Sequence, residues 1–186
     1  YKSHPVDIFR LWEGGLYFYG GLLGGVAAVL FFAFRHSRFP LWKFADASAP
    51  SIALGLSIGK IGCFFAGCCY GKECRLPWAV TFTHVESLAP RGVPLHPTQI
   101  YESVAYMLLF TVIQSLYKHK RRDGELFLFF IFLFTLVRFH LEFFRDEKIV
   151  FLGLTLAGIL SVLFGTLSVF LLLFLRLTTK HAKNTE

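Results

Sequence analysis

The sequence predicts an all-α integral membrane protein of about five transmembrane helices, with a small extracytoplasmic cap between the second and third. Three observations lead there. The 186 residues are 55% hydrophobic and only 17% charged, whereas charged residues make up about a quarter of an ordinary soluble domain; mean hydropathy is +0.57. The apolar residues gather into runs of near-spanning length, ~20 residues each. The formal charge of +7 is concentrated in basic clusters between those runs, a pattern that orients a protein in a bilayer rather than one that reads bases or phosphates. A disordered tail, an acidic soluble domain and a small disulfide framework are excluded. The lipid bilayer is an expected partner and nucleic acid is not.

The elements follow in chain order. The stretch before the first span starts at Tyr1 and has no basic region ahead of a short apolar one, so no signal peptide is expected. The first span, 16–34, carries no charge. The second, 45–65, contains Lys60; the third is 98–117; the fourth, 126–144, contains Arg138, His140 and Glu142; the fifth is 149–175. All five are read as one membrane domain over 1–186. Basic residues mark three inside segments: Arg35, Arg38 and Lys43; Lys118 to Arg122; and Arg176 onward. The N-terminal stretch, the link 70–97 and the short link 145–148 then lie outside, and the C-terminus is cytoplasmic. An outward start fits a chain whose earlier spans precede Tyr1. The 70–97 link holds Pro77, Pro90, Pro94 and Pro97 and reads as the cap, with Trp78–Phe82 alternating as a short strand.

Charges inside a span cost about 2.5–3.5 kcal/mol each on insertion scales, so they need partners or a task. At 1.5 Å per residue, Lys60 lies about 8 Å and Arg138 about 9 Å below the outer surface, with Tyr19 about 5 Å in. Two cations in one layer beneath the outer headgroups suit an anion such as a lipid phosphate. Arg138, Glu142 and Arg145 share a helix face at i, i+4 and i+7, which equally suits a structural ion pair. Gly20, Gly21, Gly24 and Gly25 form small-x3-small pairs that allow close helix packing. His96, Gln99 and Glu102 recur every third residue at the start of the third span, where Pro97 and Thr98 give a sound helix start.

The cysteines, Cys63, Cys68, Cys69 and Cys74, cluster at the outer end of the second span. In an oxidising compartment the plain reading is a disulfide between Cys74 and Cys68 or Cys69. A metal site is disfavoured because C-x4-C-C-x4-C lacks the C-x2-C spacing. No metal and no cofactor are expected.

Four segments together resemble the prolipoprotein diacylglyceryl transferase family: W-E-G-G-L-Y-F-Y-G-G-L-L-G-G (12–25), G-K-I-G-C-F-x-x-G-x-x-Y-G (59–71), H-P-T-Q-I-Y-E (96–102) and R-F-H-L-E-F-F-R (138–145). The order of the four motifs is more specific than any one alone. The resemblance covers about 7–161. It implies a multi-pass enzyme of the bacterial cytoplasmic (inner) membrane. Such an enzyme moves the diacylglyceryl group of phosphatidylglycerol onto the lipobox cysteine of a preprolipoprotein signal peptide and releases glycerol phosphate. It implies catalytic roles for Tyr19 and Arg138, and substrate contacts from Lys60, Gln99, Tyr101, Glu102, Glu142, Gly20 and Gly21. The chain departs from the family pattern at three positions and in its last helix, where L-T-L-A-G-I-L-S (154–161) lacks the family's Gln. Tyr19 stands where the family usually has a His often assigned a catalytic role, Lys60 where it has a phosphate-binding Arg, and Cys63 where it has Asn. These departures leave open a related transferase with another acceptor, or a lipid-binding module without chemistry.

Overall fold

A computed structural model describes residues 18–145, 149–151 and 154–184. Five helices account for most of it: α1 (Phe18–Arg35), α2 (Leu41–Ala66), α3 (Thr98–Leu116), α4 (Glu125–Glu142) and α5 (Leu156–Asn184). By length and composition α2, α3 with the 3-10 turn that continues it, and α5 to Leu175 can each cross a membrane. Helix α4 holds 18 residues, three of them charged (Glu125, Arg138 and Glu142). Large apolar side chains face outward on these helices, among them Phe31 and Phe34 on α1, Phe65 on α2, Leu108 on α3 and Phe170 on α5. Such broad apolar faces suit lipid rather than water.

The chain divides into two compact units, 1–41 and 42–186. The described part of the first is α1 and the turn after it, where Phe32 stacks on His36 at 4.2 Å between ring centroids. In the second unit, α2, α3 and α4 share a core of Ala49 and Ala53, Tyr106, Leu109 and Ile113, and Leu126 and Phe130. The alanines let α2 come close to its neighbours. Deeper along the same contact, Ser57 Oγ donates to Ser103 O at 2.8 Å and Ser103 Oγ returns a bond to Ser57 O at 3.0 Å. This reciprocal pair satisfies both hydroxyls, which are buried between the helices. Helix α5 packs along α4, and a Cβ on Gly165 would lie 3.0 Å from Thr135 Oγ1.

The α2–α3 connection carries a small hairpin, β1 (Val80–Thr81) against β2 (Pro94–Leu95), in antiparallel register. The strand expected over Trp78–Phe82 is thus shorter. The start of the fifth helix is corrected more substantially. Residues from Ile149 do not enter the helix; β3 (Ile149–Phe151) pairs with β4 (Leu154–Thr155) first, and α5 begins at Leu156. The reason is a cap: Thr155 Oγ1 accepts the backbone N–H of Gly158 at 3.1 Å, the bond a threonine makes one residue before a helix.

Candidate active site

The site is built where α2, α3 and the end of α4 meet. Pro97 starts α3, and Glu102 falls just beyond its first turn, fully buried. An isolated carboxylate there would be far too costly. It is not isolated. Lys60 of α2 pairs with Glu102 Oε2. Arg138 of α4 reaches Glu102 Oε1 at 3.3 Å, and Arg145, just past α4, reaches the same oxygen at 3.5 Å. Arg138 also pairs with Glu142 one turn on, at 3.1 Å. Glu142 Oε1 in turn accepts the Thr155 hydroxyl at 2.5 Å, so the oxygen that caps α5 also ties it to the cluster. The five charged side chains are 0–19% exposed, which removes most of the solvent screening that weakens surface pairs.

Four of the residues singled out in the sequence, Lys60, Glu102, Arg138 and Glu142, are therefore in one network. Arg145 joins them; its i+7 spacing from Arg138 signalled the shared face. Thr155 was not signalled, because its role depends on a hairpin that reads as helix.

Gln99 and Tyr101 are turned to other neighbours. Gln99, wholly buried, donates from Nε2 to Cys68 O at 2.7 Å, and Thr98 Oγ1 donates to Cys69 O at 2.8 Å. The oxygen of that side chain, Gln99 Oε1, has no hydrogen-bond donor among the described residues. Tyr101 accepts the indole N–H of Trp78 at 2.7 Å and sits edge-on to His96 and Phe144. The four cysteines are free, so the disulfide expected for Cys74 is not formed. Burial and the neighbouring Cys69 push the Cys68 thiol up to about 12. Gly20 and Gly21 lie in the first turn of α1 within the other unit. The Tyr19 side chain lies outside the described residues.

The link segment after α2 locks the end of α4. Lys72 N–H bonds Phe144 O at 2.8 Å, and Gly71 N–H bonds His96 O at 3.0 Å. Gly71 also bridges to Arg145. The backbones approach so closely that a Cβ on Gly71 would lie 2.6 Å from Phe144 O and 2.7 Å from His96 Cβ. This contact fixes the backbone that carries Arg145.

Over residues 1–174 the chain matches the model of the family described as prolipoprotein diacylglyceryl transferase. The chain belongs to the prolipoprotein diacylglyceryl transferase family. It is 39% identical over 161 residues to the phosphatidylglycerol–prolipoprotein diacylglyceryl transferase of Verminephrobacter eiseniae, covering 85% of this chain and 56% of that protein. The protein of the same name from Geobacter sulfurreducens is 39% identical over 147 residues, covering 78% of this chain and 54% of the relative. The one from Nostoc is 32% identical over 171 residues, covering 87% and 60%. The chain thus spans little more than half the length of these relatives. No solved structure matches it. Members of this family are membrane-embedded transferases, in keeping with the apolar helices able to span a bilayer.

Proposed function

We propose that the protein transfers the diacylglyceryl group of phosphatidylglycerol to the lipobox cysteine thiol of a preprolipoprotein, releasing glycerol phosphate, at the outer leaflet of a bacterial cytoplasmic (inner) membrane. The observation that carries this reading is the gathering of Lys60, Arg138 and Arg145 about the buried Glu102. Three cations meet there against two carboxylates, in a place largely closed to water. The motif order and the family membership support the same reaction.

In this reading the bond between the glycerol carbon and the phosphate oxygen breaks as a carbon–sulfur bond forms. The phosphate leaves with the electron pair, and the thiol proton passes to a base. Charge gathers on the departing phosphate, and preorganised cations stabilise it most where water is excluded. Arg138 grips the phosphate as a planar fork and Lys60 adds a point charge. Glu102 and Glu142 hold those cations in place as positioning residues that border the substrate. Gln99 Oε1 offers an acceptor for a headgroup hydroxyl, and Tyr101 borders the headgroup from the link side. Tyr19, as the catalytic partner of Arg138, and Gly20 and Gly21 enter on the sequence pattern alone. All of this lies in one membrane domain, with the start of α1 outside and the C-terminus cytoplasmic. A second reading, transfer to an acceptor other than a lipobox peptide, is favoured by Tyr19, Lys60 and Cys63, which depart from the family pattern.

The test is reconstitution of the purified protein in vesicles containing phosphatidylglycerol labelled in its headgroup glycerol, with a lipobox peptide added. The peptide gains the mass of a diacylglyceryl group as labelled glycerol phosphate appears, and Arg138→Ala lowers the rate by about 10²–10³. Full activity in that variant removes Arg138 from the mechanism. Release of label without modification of the peptide favours the second reading.

A further inference from the structure

The end of α2 is a Schellman cap, and its spacing brings thiols together. Gly67 N–H bonds Phe64 O and Cys68 N–H bonds Cys63 O, each at 3.1 Å, with Gly67 at φ 68°. That pair of bonds defines the motif and sets the residue after the glycine against the one five positions earlier. Here those residues are Cys68 and Cys63. The next residue, Cys69, also has a left-handed backbone, φ 58°, which costs a non-glycine residue of order 1 kcal/mol and persists only where neighbours over-determine it. The neighbours are Thr98 and Gln99, which hold the carbonyls of Cys69 and Cys68. The outcome is three sulfur atoms, from Cys63, Cys68 and Cys69, all within 4.8 Å of one another and partly open to solvent. Cys74 is not among them.

We infer that Cys63, Cys68 and Cys69 form a binding site for one thiophilic d10 metal ion. With metal–sulfur bonds of about 2.3 Å, sulfurs sharing an ion lie ~3.8–4.0 Å apart, so the trio needs to close by less than about 1 Å. Three thiolates select Cu(I) or Zn(II) over harder cations. The C-x4-C spacing, unpromising as a linear motif, becomes a ligand pair because a helix cap folds it. The site also has a mechanical consequence. Cys63 lies one helical turn from Lys60, and Gln99 one turn from Glu102, so a bound ion stiffens the α2 end that Thr98 and Gln99 tie to α3 beside the ion cluster. The inference stands on the geometry of the α2 terminus and not on the proposed reaction.

The test uses the full protein in detergent, reduced and stripped of metal under anaerobic conditions, titrated with Zn(II) or Cu(I) against a chromophoric chelator. One ion binds per chain, X-ray absorption shows three sulfurs around it, and the melting temperature rises on loading. Cys63→Ser, Cys68→Ser and Cys69→Ser each weaken binding by more than tenfold, while Cys74→Ser leaves it unchanged. The ultraviolet charge-transfer band of sulfur bound to metal, read on the unaltered protein, does not depend on any variant folding. No retained ion, no such band, or a loss in Cys74→Ser equal to the others overturns the inference.

Discussion

Asp46 of α2 caps α4 from across the helix interface: its Oδ1 accepts the backbone N–H of Phe127 at 2.8 Å. The third residue of a helix normally bonds its own N-cap side chain, but the N-cap here is Gly124, which has none. Gly124 is held at φ 90°, where a Cβ would strike the Trp42 ring at 2.6 Å. Its N–H also bonds Asp46, through Oδ2 at 2.8 Å, and Lys120 reaches that oxygen at 3.0 Å. A fully buried acid is thus satisfied by two backbone donors and one cation, at the positive end of a helix dipole.

Asp46→Ala leaves both backbone donors unsatisfied and Lys120 with Asp123 as its remaining carboxylate partner, and is expected to destabilise the protein by about 3–5 kcal/mol. Asp46→Asn keeps an acceptor oxygen for one backbone N–H and is expected to cost about 1–3 kcal/mol. Reversible unfolding in mixed detergent micelles measures both, and the order Ala worse than Asn is the outcome that matters.

The same group fixes an alkaline limit. Burial lowers the pKa of Lys120, but its bonds to Asp46 and Asp123 outweigh that and raise it above the ordinary lysine value. A raised lysine pKa means the charged form is favoured by folding. The stabilisation is complete below the unfolded value of about 10.4 and is lost as pH climbs through the folded one. Melting temperature is therefore expected to fall more steeply above about pH 10.4 in the wild type than in Lys120→Met. The variant starts lower and its curve is flatter across that window.

Much of this was legible in the sequence. The ends of α3 and α4 fall within two residues of expectation, because Pro97 and Thr98 mark the start of α3 and the apolar run of α4 follows the basic cluster Lys118 to Arg122. The convergence of Lys60 and Arg138 is expected from their equal depths in two spans that both run from inside to outside. The first seven residues of the expected fifth span precede α5, because Ile149, Val150 and Phe151 are as apolar as the helix that follows and hydropathy carries no signal for a hairpin. Asp46 gave no sign of its task, since an acid near a span's end reads as interfacial until the facing helix is known. Gln99 is expected as a substrate contact from the family resemblance, yet one of its two polar atoms is spent on the Cys68 carbonyl, which no periodicity could reveal.

Gly71 offers a steric test of how Arg145 is held. A methyl group there meets the Phe144 carbonyl and the His96 and Thr98 side chains, and a backbone carbonyl yields less readily than the end of a flexible side chain. Gly71→Ala is expected to destabilise by about 1–3 kcal/mol and to weaken binding of phosphatidylglycerol, because the backbone carrying Arg145 must shift. Measuring lipid retention and stability on the same preparation checks it; full retention with wild-type stability contradicts the tight contact.

Restoring the family residue at position 60 separates charge from geometry. Lys60→Arg preserves the cation beside Glu102 and is expected to keep or raise transfer to the lipobox peptide. Lys60→Met leaves Glu102 with Arg138 and Arg145 only, and is expected to lower transfer by about tenfold or more. Rates in the vesicle assay distinguish the two, and equal losses in both show that the ammonium itself is needed.

The most direct measurement is phosphatidylglycerol retention by native mass spectrometry on wild type, Lys60→Met and Arg138→Met, with phosphatidylcholine as the reference lipid. The account predicts that wild type retains the anionic lipid selectively and that each substitution reduces this selectivity by about tenfold. Unchanged selectivity in both variants contradicts the claim that the cations around Glu102 receive a lipid phosphate.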